Sequence, residues 1–378
     1  MTENSGTASR NRMPIVIGLG LAGLVAVIVV GALLVIRPNA GHGTFAATGS
    51  MADARAWHTA TMLSDGRVLI AGGVNRTSFL DSAELYDPAT GTFSRTGSMT
   101  PARGGHTATL LSDGRVLIAG GTTYASGSLA SAELYDPKTG TFSPTGSMTD
   151  FRAGHTATLL SDGRVLIAGG TDGVSSYLAS AELYDPATRT FSPTGSMTAA
   201  RGNHTATLLS DGRVLIAGGM SNGSSDLASA ELYDPKTGMF SPTGSMTAAR
   251  DSHTATLLSD GRVLVAGGQN FHGYLASAEL YDPATRTFSP TGSITHADYL
   301  HTATLLSDGR VLIAGVEDSS SDLSAELYDP ATGKFSPTGS MTAARQYHTA
   351  TLLSDGRVLI AGGADSSGGL ASAELYQP

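Results

Sequence analysis

Two hydrophobicity patterns divide the chain. From Pro14 to Ile36 it is apolar without interruption, 23 residues with no charged side chain. At about 1.5 Å of rise per helical residue, that run can cross a hydrocarbon core of roughly 30 Å. Beyond it, short apolar segments alternate with polar turns. The segment VLIA (Val68–Ala71 in its first copy) is apolar on both faces, as a strand packed from two sides must be. HTATLL precedes it across an Asp-Gly turn, and SAELYDP follows a variable loop. FSPTGSM closes the unit. Its Pro144, Pro193, Pro242, Pro290 and Pro337 each lack a ladder donor, so this fourth strand belongs on the sheet's outer edge.

The unit recurs seven times. Its leading histidine stands at His58, His106, His155, His204, His253, His301 and His348, spaced by 48, 49, 49, 49, 48 and 47 residues. Four short strands per unit, repeated at a fixed period, make a radial array of four-stranded sheets. The expected fold is therefore all-β, a seven-bladed β-propeller of four-stranded antiparallel blades, preceded by one N-terminal transmembrane helix. Gly43–Met51, GTFAATGSM, is a fourth strand with no first three before it, while the last copy ends at SAELYQP with three strands. The N-terminal strand should complete the last blade and close the ring.

The diglycine of VLIAGG, the tyrosines of SAELYDP (Tyr86, Tyr135, Tyr184) and the aromatic opening the last strand (Phe93, Phe142, Phe191) resemble the kelch repeat. The period is close to the kelch value of about 50 residues. Phe stands here where kelch repeats usually have Trp. The resemblance implies a propeller from Gly43 to Pro378. Some kelch-type propellers, the galactose oxidase relatives, are copper enzymes whose cofactor joins a Tyr to a Cys. This chain has no Cys, so that chemistry is not carried over.

The expected organisation is a cytoplasmic tail over 1–13, a signal-anchor helix over 14–36, a linker over 37–42 and the propeller over 43–378. Arg10 and Arg12 lie before the apolar run and only Arg37 lies just after it, which places the propeller on the extracytoplasmic side of the cell membrane. Secretion after signal cleavage is the alternative, although Pro38 and Phe45 make poor cleavage contexts. Composition narrows the chemistry further. Zero Cys among 378 residues excludes disulfides, thiolate metal sites and cysteine nucleophiles. A net charge of -9 argues against a nucleic-acid surface. A typical copy carries two arginines and three acids, so the acidity is expected to spread evenly over the blades.

Repetition also decides how candidate chemistry is read. The seven histidines share one strand position and are expected to be packed and hydrogen-bonded between blades. The arginines three residues before six of them (Arg55, Arg103, Arg152, Arg201, Arg250, Arg345) are expected to pair between blades with the strand-three glutamates, Glu84 onward. The DGR arginines, such as Arg67 and Arg115, read as solvated turn charges. No HExxH, phosphate loop, GxSxG or EF-hand spacing occurs, so no catalytic residue, metal ligand or cofactor is assigned.

Loops after the first and third strands share one face and hardly vary. Loops after the second and fourth share the other and carry the variation, which makes that face the expected binding surface for a glycan or protein ligand. On it, Trp57, Tyr299 and Tyr347 fall on neighbouring blades one, six and seven, with Phe271, His272 and Tyr274 on blade five beside them. Truncating such aromatics should weaken binding. Blade six departs from the pattern at Asp298, Val316, Glu317 and Asp318; with His296, these acids could offer ligands to a cation, or mark a weaker blade. A structural or adhesive surface protein, and an extracellular carbohydrate-active enzyme of oxidase or mutarotase type, are the competing functions.

Overall fold

The computed structural model describes residues 43–378 apart from 125–126, 175, 224, 296, 298–299 and 316–322. The chain divides into two units, 1–40 and 41–378. The run Pro14–Ile36, and with it the expected anchor, lies outside the described residues. Among the described residues no helix is long and apolar enough to cross a membrane.

Blade one comprises Thr59–Met62, Val68–Ala71, Ser82–Asp87 and Thr92–Ser98, each strand antiparallel to the next. Five further blades repeat this order. The seventh has Thr349–Leu352, Val358–Ala361 and Ala373–Gln377, and its outer strand is Thr44–Ala47 from the other end of the chain, with Phe45 opposite Tyr376. The innermost strand of blade one lies beside those of blades two and seven, so the ring closes.

Alternation in the second strand explains how blades adhere. Val68 and Ile70, with Tyr86, pack on Leu353, Leu359, Ala361 and Ala373 of blade seven. Leu69 and Ala71, with Leu63 and Leu85, pack on Val116, Ile118 and Tyr135 of blade two. The hydrophobic core is thus seven seams between sheets, each fully buried aliphatic side chain contributing about 1.5–3 kcal/mol.

Polar contacts repeat along the same seams. Tyr86 Oη lies 2.9 Å from Thr48 Oγ1 of blade seven, and Gly49 N donates to Gly91 O at 2.9 Å. At the seam between blades six and seven Tyr376 Oη lies 2.9 Å from Thr338 Oγ1, and Gly339 N donates to Gly43 O at 2.9 Å. The Tyr and Phe positions that resemble the kelch repeat touch within each blade, with ring centroids 4.8 Å apart for Tyr86–Phe93 and 4.9 Å for Phe45–Tyr376.

The arginine–glutamate pairs are not between blades. Arg55 donates to Gly72 O (2.8 Å), Ser82 O (3.0 Å) and Glu84 Oε1 (2.9 Å), all of its own blade. The seam beside it is filled with apolar side chains, so the guanidinium runs across its own sheet. Glu84 in turn accepts from the backbone N–H of Ala52 at 2.8 Å, holding the segment that arrives from blade seven. Both side chains are buried, as they are in five further blades.

Candidate functional site

Each leading histidine bonds to the threonine after the leading histidine of the preceding blade. His106 Nε2 lies 3.1 Å from Thr59 Oγ1, and His58 Nε2 lies 3.0 Å from Thr349 Oγ1 across the closing seam. Five equivalent contacts complete the circle. All seven imidazoles are buried. Burial first, and then the Arg55 guanidinium, drives His58 down to about 3; burial and Arg152 do the same to His155. Neutral rings hydrogen-bonded to threonines link each blade to the one before it. The diglycine makes room for them: Gly72 has φ +61°, and a Cβ there would meet His106 Cε1 at 2.9 Å.

Immediately before each histidine the backbone turns left-handed. Gly105 and Gly154 have φ of 60°, Asn203 52° and Ser252 51°, but Trp57 (55°), Leu300 (64°) and Tyr347 (53°) hold the same conformation. For a bulky residue this costs about 1–2 kcal/mol. The turns are stitched blade to blade, with Gly105 N donating to Trp57 O (3.0 Å), Asn203 N to Gly154 O (3.0 Å) and Ser252 N to Asn203 O (3.1 Å). Large side chains therefore sit under strain on blades one, six and seven, at the inner rim of the variable face. Trp57 and Tyr347 touch edge to face, 5.0 Å between centroids at 89°, and Trp57 stays 42% exposed.

The remaining sequence candidates lie elsewhere. Tyr299, with Asp298, His296, Val316, Glu317 and Asp318, falls outside the described residues. Phe271, His272 and Tyr274 are exposed on the hairpin Gln269–Asn270 and Gly273–Tyr274. That hairpin is tied to blade four, where Asp226 Oδ2 accepts from Phe271 N at 2.8 Å. The structure joins Trp57 to Tyr347; the blade-five trio forms a separate aromatic group, with blade six between.

Further apolar groups come together only in the folded loops. Phe79 and Tyr124 stack edge to face at 4.7 Å, and Phe151 and Val174 are exposed on blade three. Comparing one loop position across repeats would have found part of this. The residue before the loop leucine leans on the next blade, Phe79 against Gly104 and Tyr177 against Gly202. At the same position Asp226 meets Asp251, which is 2% exposed and also accepts from Ser252 Oγ at 2.7 Å. Burial, with Asp226 as the second force in that direction, pushes Asp251 up to about 6.

On the opposite face, grooves separate the turns of adjacent blades. One of about 780 Å³ is lined by Asp65, Arg67, Asp113, Arg115, Lys138 and Arg189; another, of about 480 Å³, includes Asp162, Asp211, Arg213 and Lys236. The DGR arginines are not free charges. Each closes on its own turn's aspartate, 2.6 Å apart in Arg67–Asp65 and Arg115–Asp113.

The KLHDC2/KLHL20/DRC7 Kelch-repeats domain matches residues 105–316 and, in a second alignment, 154–363, and the Kelch motif matches 58–100. No curated protein matches the chain. Many solved structures are similar, two of them as follows. A novel fungal alcohol oxidase with catalytic diversity among the AA5 family, in complex with copper, is 20% identical with a TM-score of 0.73, over 90% of this chain and 77% of that one. The structure of YjhT is 13% identical with a TM-score of 0.61, over 76% of this chain and 99% of that one. At these identities the likeness shows the fold. Among the described residues no three His, Cys, Asp or Glu side chains converge on one point, and the ring histidines face threonines.

Proposed function

The chain belongs to the Kelch-repeat family, and from that premise we propose that it is a binding scaffold for a glycan or protein ligand, engaged through the face built from the loops after the second and fourth strands. One observation carries this reading. Of the seven large apolar side chains exposed among the described residues, six (Trp57, Tyr124, Phe151, Val174, Phe271, Tyr274) stand on that face, and only Met239 does not. Exposed aromatics offer large contact area at small entropic cost, and here the exposed Trp57 and the half-buried Tyr347 it touches are both held at the backbone's expense. The same reading holds the propeller outside the cell membrane on Pro14–Ile36. Protease added to intact cells is then expected to remove the propeller; its full protection would contradict the placement.

The binding test uses positions where glycine relieves the backbone. The full chain is screened on arrays of immobilised glycans and peptides, and the tightest hit is titrated against Trp57→Gly and Tyr347→Gly. Arg189→Gly and Arg286→Gly, left-handed at φ 59° on the opposite face, serve as controls. Each of the first pair is expected to lose about 1–3 kcal/mol of binding, as truncated hot-spot residues do, and the controls none. Loss confined to the arginine variants would overturn the assignment.

A further inference from the structure

Charge is distributed unevenly between the two faces, contrary to the even spread that repeat composition suggests. On the invariant face the seven DGR turns each neutralise themselves. The aspartates of the six YDP turns there are offset by five cations, Lys138, Arg189, Lys236, Arg286 and Lys334. The variable face has no such balance. Asp53 lies 3.3 Å from Arg95 and Asp150 lies 3.1 Å from the buried Arg152. With the six buried connector arginines matched by strand-three glutamates, the remaining formal charges in its described loops are those of Asp81, Asp172, Asp226, Asp251 and Asp365 against Arg76. By sequence alone, the stretch 316–322 adds three acids and no cation.

These acids are interleaved with apolar side chains, exposed or half-buried. Asp81 follows Phe79 by two residues, Asp172 precedes the exposed Val174 by two, and Asp226 holds the Phe271 amide at 2.8 Å. Neutral sugars would use the rings and donate hydroxyls to the carboxylates without drawing on the net charge; acidic glycans and nucleic acids would be repelled. A guanidinium or ammonium group uses both, pairing with a carboxylate and lying over an aromatic face, while its aliphatic stem covers apolar surface.

We propose that the variable face docks a Lys/Arg-rich polypeptide segment, with Asp81, Asp172, Asp226 and Asp365 meeting its cations and the exposed aromatics covering its stems. This rests on the binding-scaffold reading and narrows it to one partner chemistry. Complementarity of this kind sets on-rate and selectivity and is screened by salt.

The experiment measures fluorescence anisotropy of a labelled peptide alternating Lys/Arg with Gly, titrated with the full chain, beside a charge-reversed Glu-Gly peptide. Binding of the basic peptide alone is expected, weakening on the order of tenfold between ~0.05 M and ~0.5 M salt. Asn replaces Asp at 81, 172, 226 and 365 in one variant. Asn retains the side-chain oxygen that closes the turns of Asp172 and Asp365, so the change is one of charge. A control removes the same charge opposite, by Asp87→Asn, Asp185→Asn, Asp282→Asn and Asp329→Asn, whose turns are likewise closed by Oδ1. The first variant should weaken the basic peptide by about tenfold and the control should leave it unchanged, while Arg76→Gln should tighten it about twofold. Equal loss in both variants, or tighter binding of the Glu peptide, overturns the proposal. If the basic peptide fails to bind while an arrayed glycan binds and depends on Trp57 and Tyr347, this inference falls and the scaffold reading stands. If binding of the basic peptide is lost only in the control, both fall.

Discussion

At the residue scale, position within the repeat decides what a side chain can do. A histidine seven times repeated is architecture, and burial shows why. His58, His155, His204 and His348 are driven down to about 3 and His301 to about 4, against an ordinary 6.5. Their contribution to stability is complete above pH 6.5 and is lost as pH falls toward those values, because the unfolded chain takes up the protons first. Each titrating histidine removes up to about 1.4 kcal/mol per pH unit. Asp251 acts oppositely: raised from 3.8 to about 6, its share is complete below about pH 4 and lost as pH rises through about 6. Seven groups outweigh one. Denaturant midpoints should fall steeply below pH 6.5, and a profile flat from pH 7 to 5 would contradict the neutral ring. The histidine role was legible because the motif repeats. The Asp226–Asp251 contact was not, because it joins two single-copy residues whose proximity only the loop geometry creates.

At the element scale, strand order and the edge position of the fourth strand followed from turn chemistry and proline. The partner of each arginine did not. Along the chain Arg103 stands nearer to Glu84 of the preceding blade than to Glu133 of its own, and only the filled seam excludes the former. The consequence is measurable. Glu231→Gln leaves Arg201, 2.9 Å away and buried, without its counter-charge, and should cost about 3–5 kcal/mol in chemical denaturation. Glu326 stands in the blade where sequence places Asp298 instead of arginine, and its carboxylate accepts from Thr295 N at 2.9 Å. Glu326→Gln should therefore be neutral or stabilising, since it removes a buried charge with no arginine opposite. Equal losses at the two positions would show that the glutamates act through the connector alone.

At the scale of the whole molecule, ring closure was legible from the split repeat, because a lone fourth strand at one end and a missing one at the other admit a simple solution. The proposed binding face was legible only in part. Variable loops pointed to it, but the apolar and acidic character of that face emerges only once the blades are set side by side and the invariant turns are seen to neutralise themselves. Recognition is proposed to belong to the variable face. Hydroxyl-radical footprinting of the full chain, with and without the tightest ligand from the arrays, tests it directly, since six exposed apolar side chains mark one face and Met239 marks the other. Protection of Trp57 and of its neighbours among the six, with Met239 oxidised at its free rate, is the expected result. Protection of Met239 with Trp57, Tyr124 and Phe271 unchanged would contradict it.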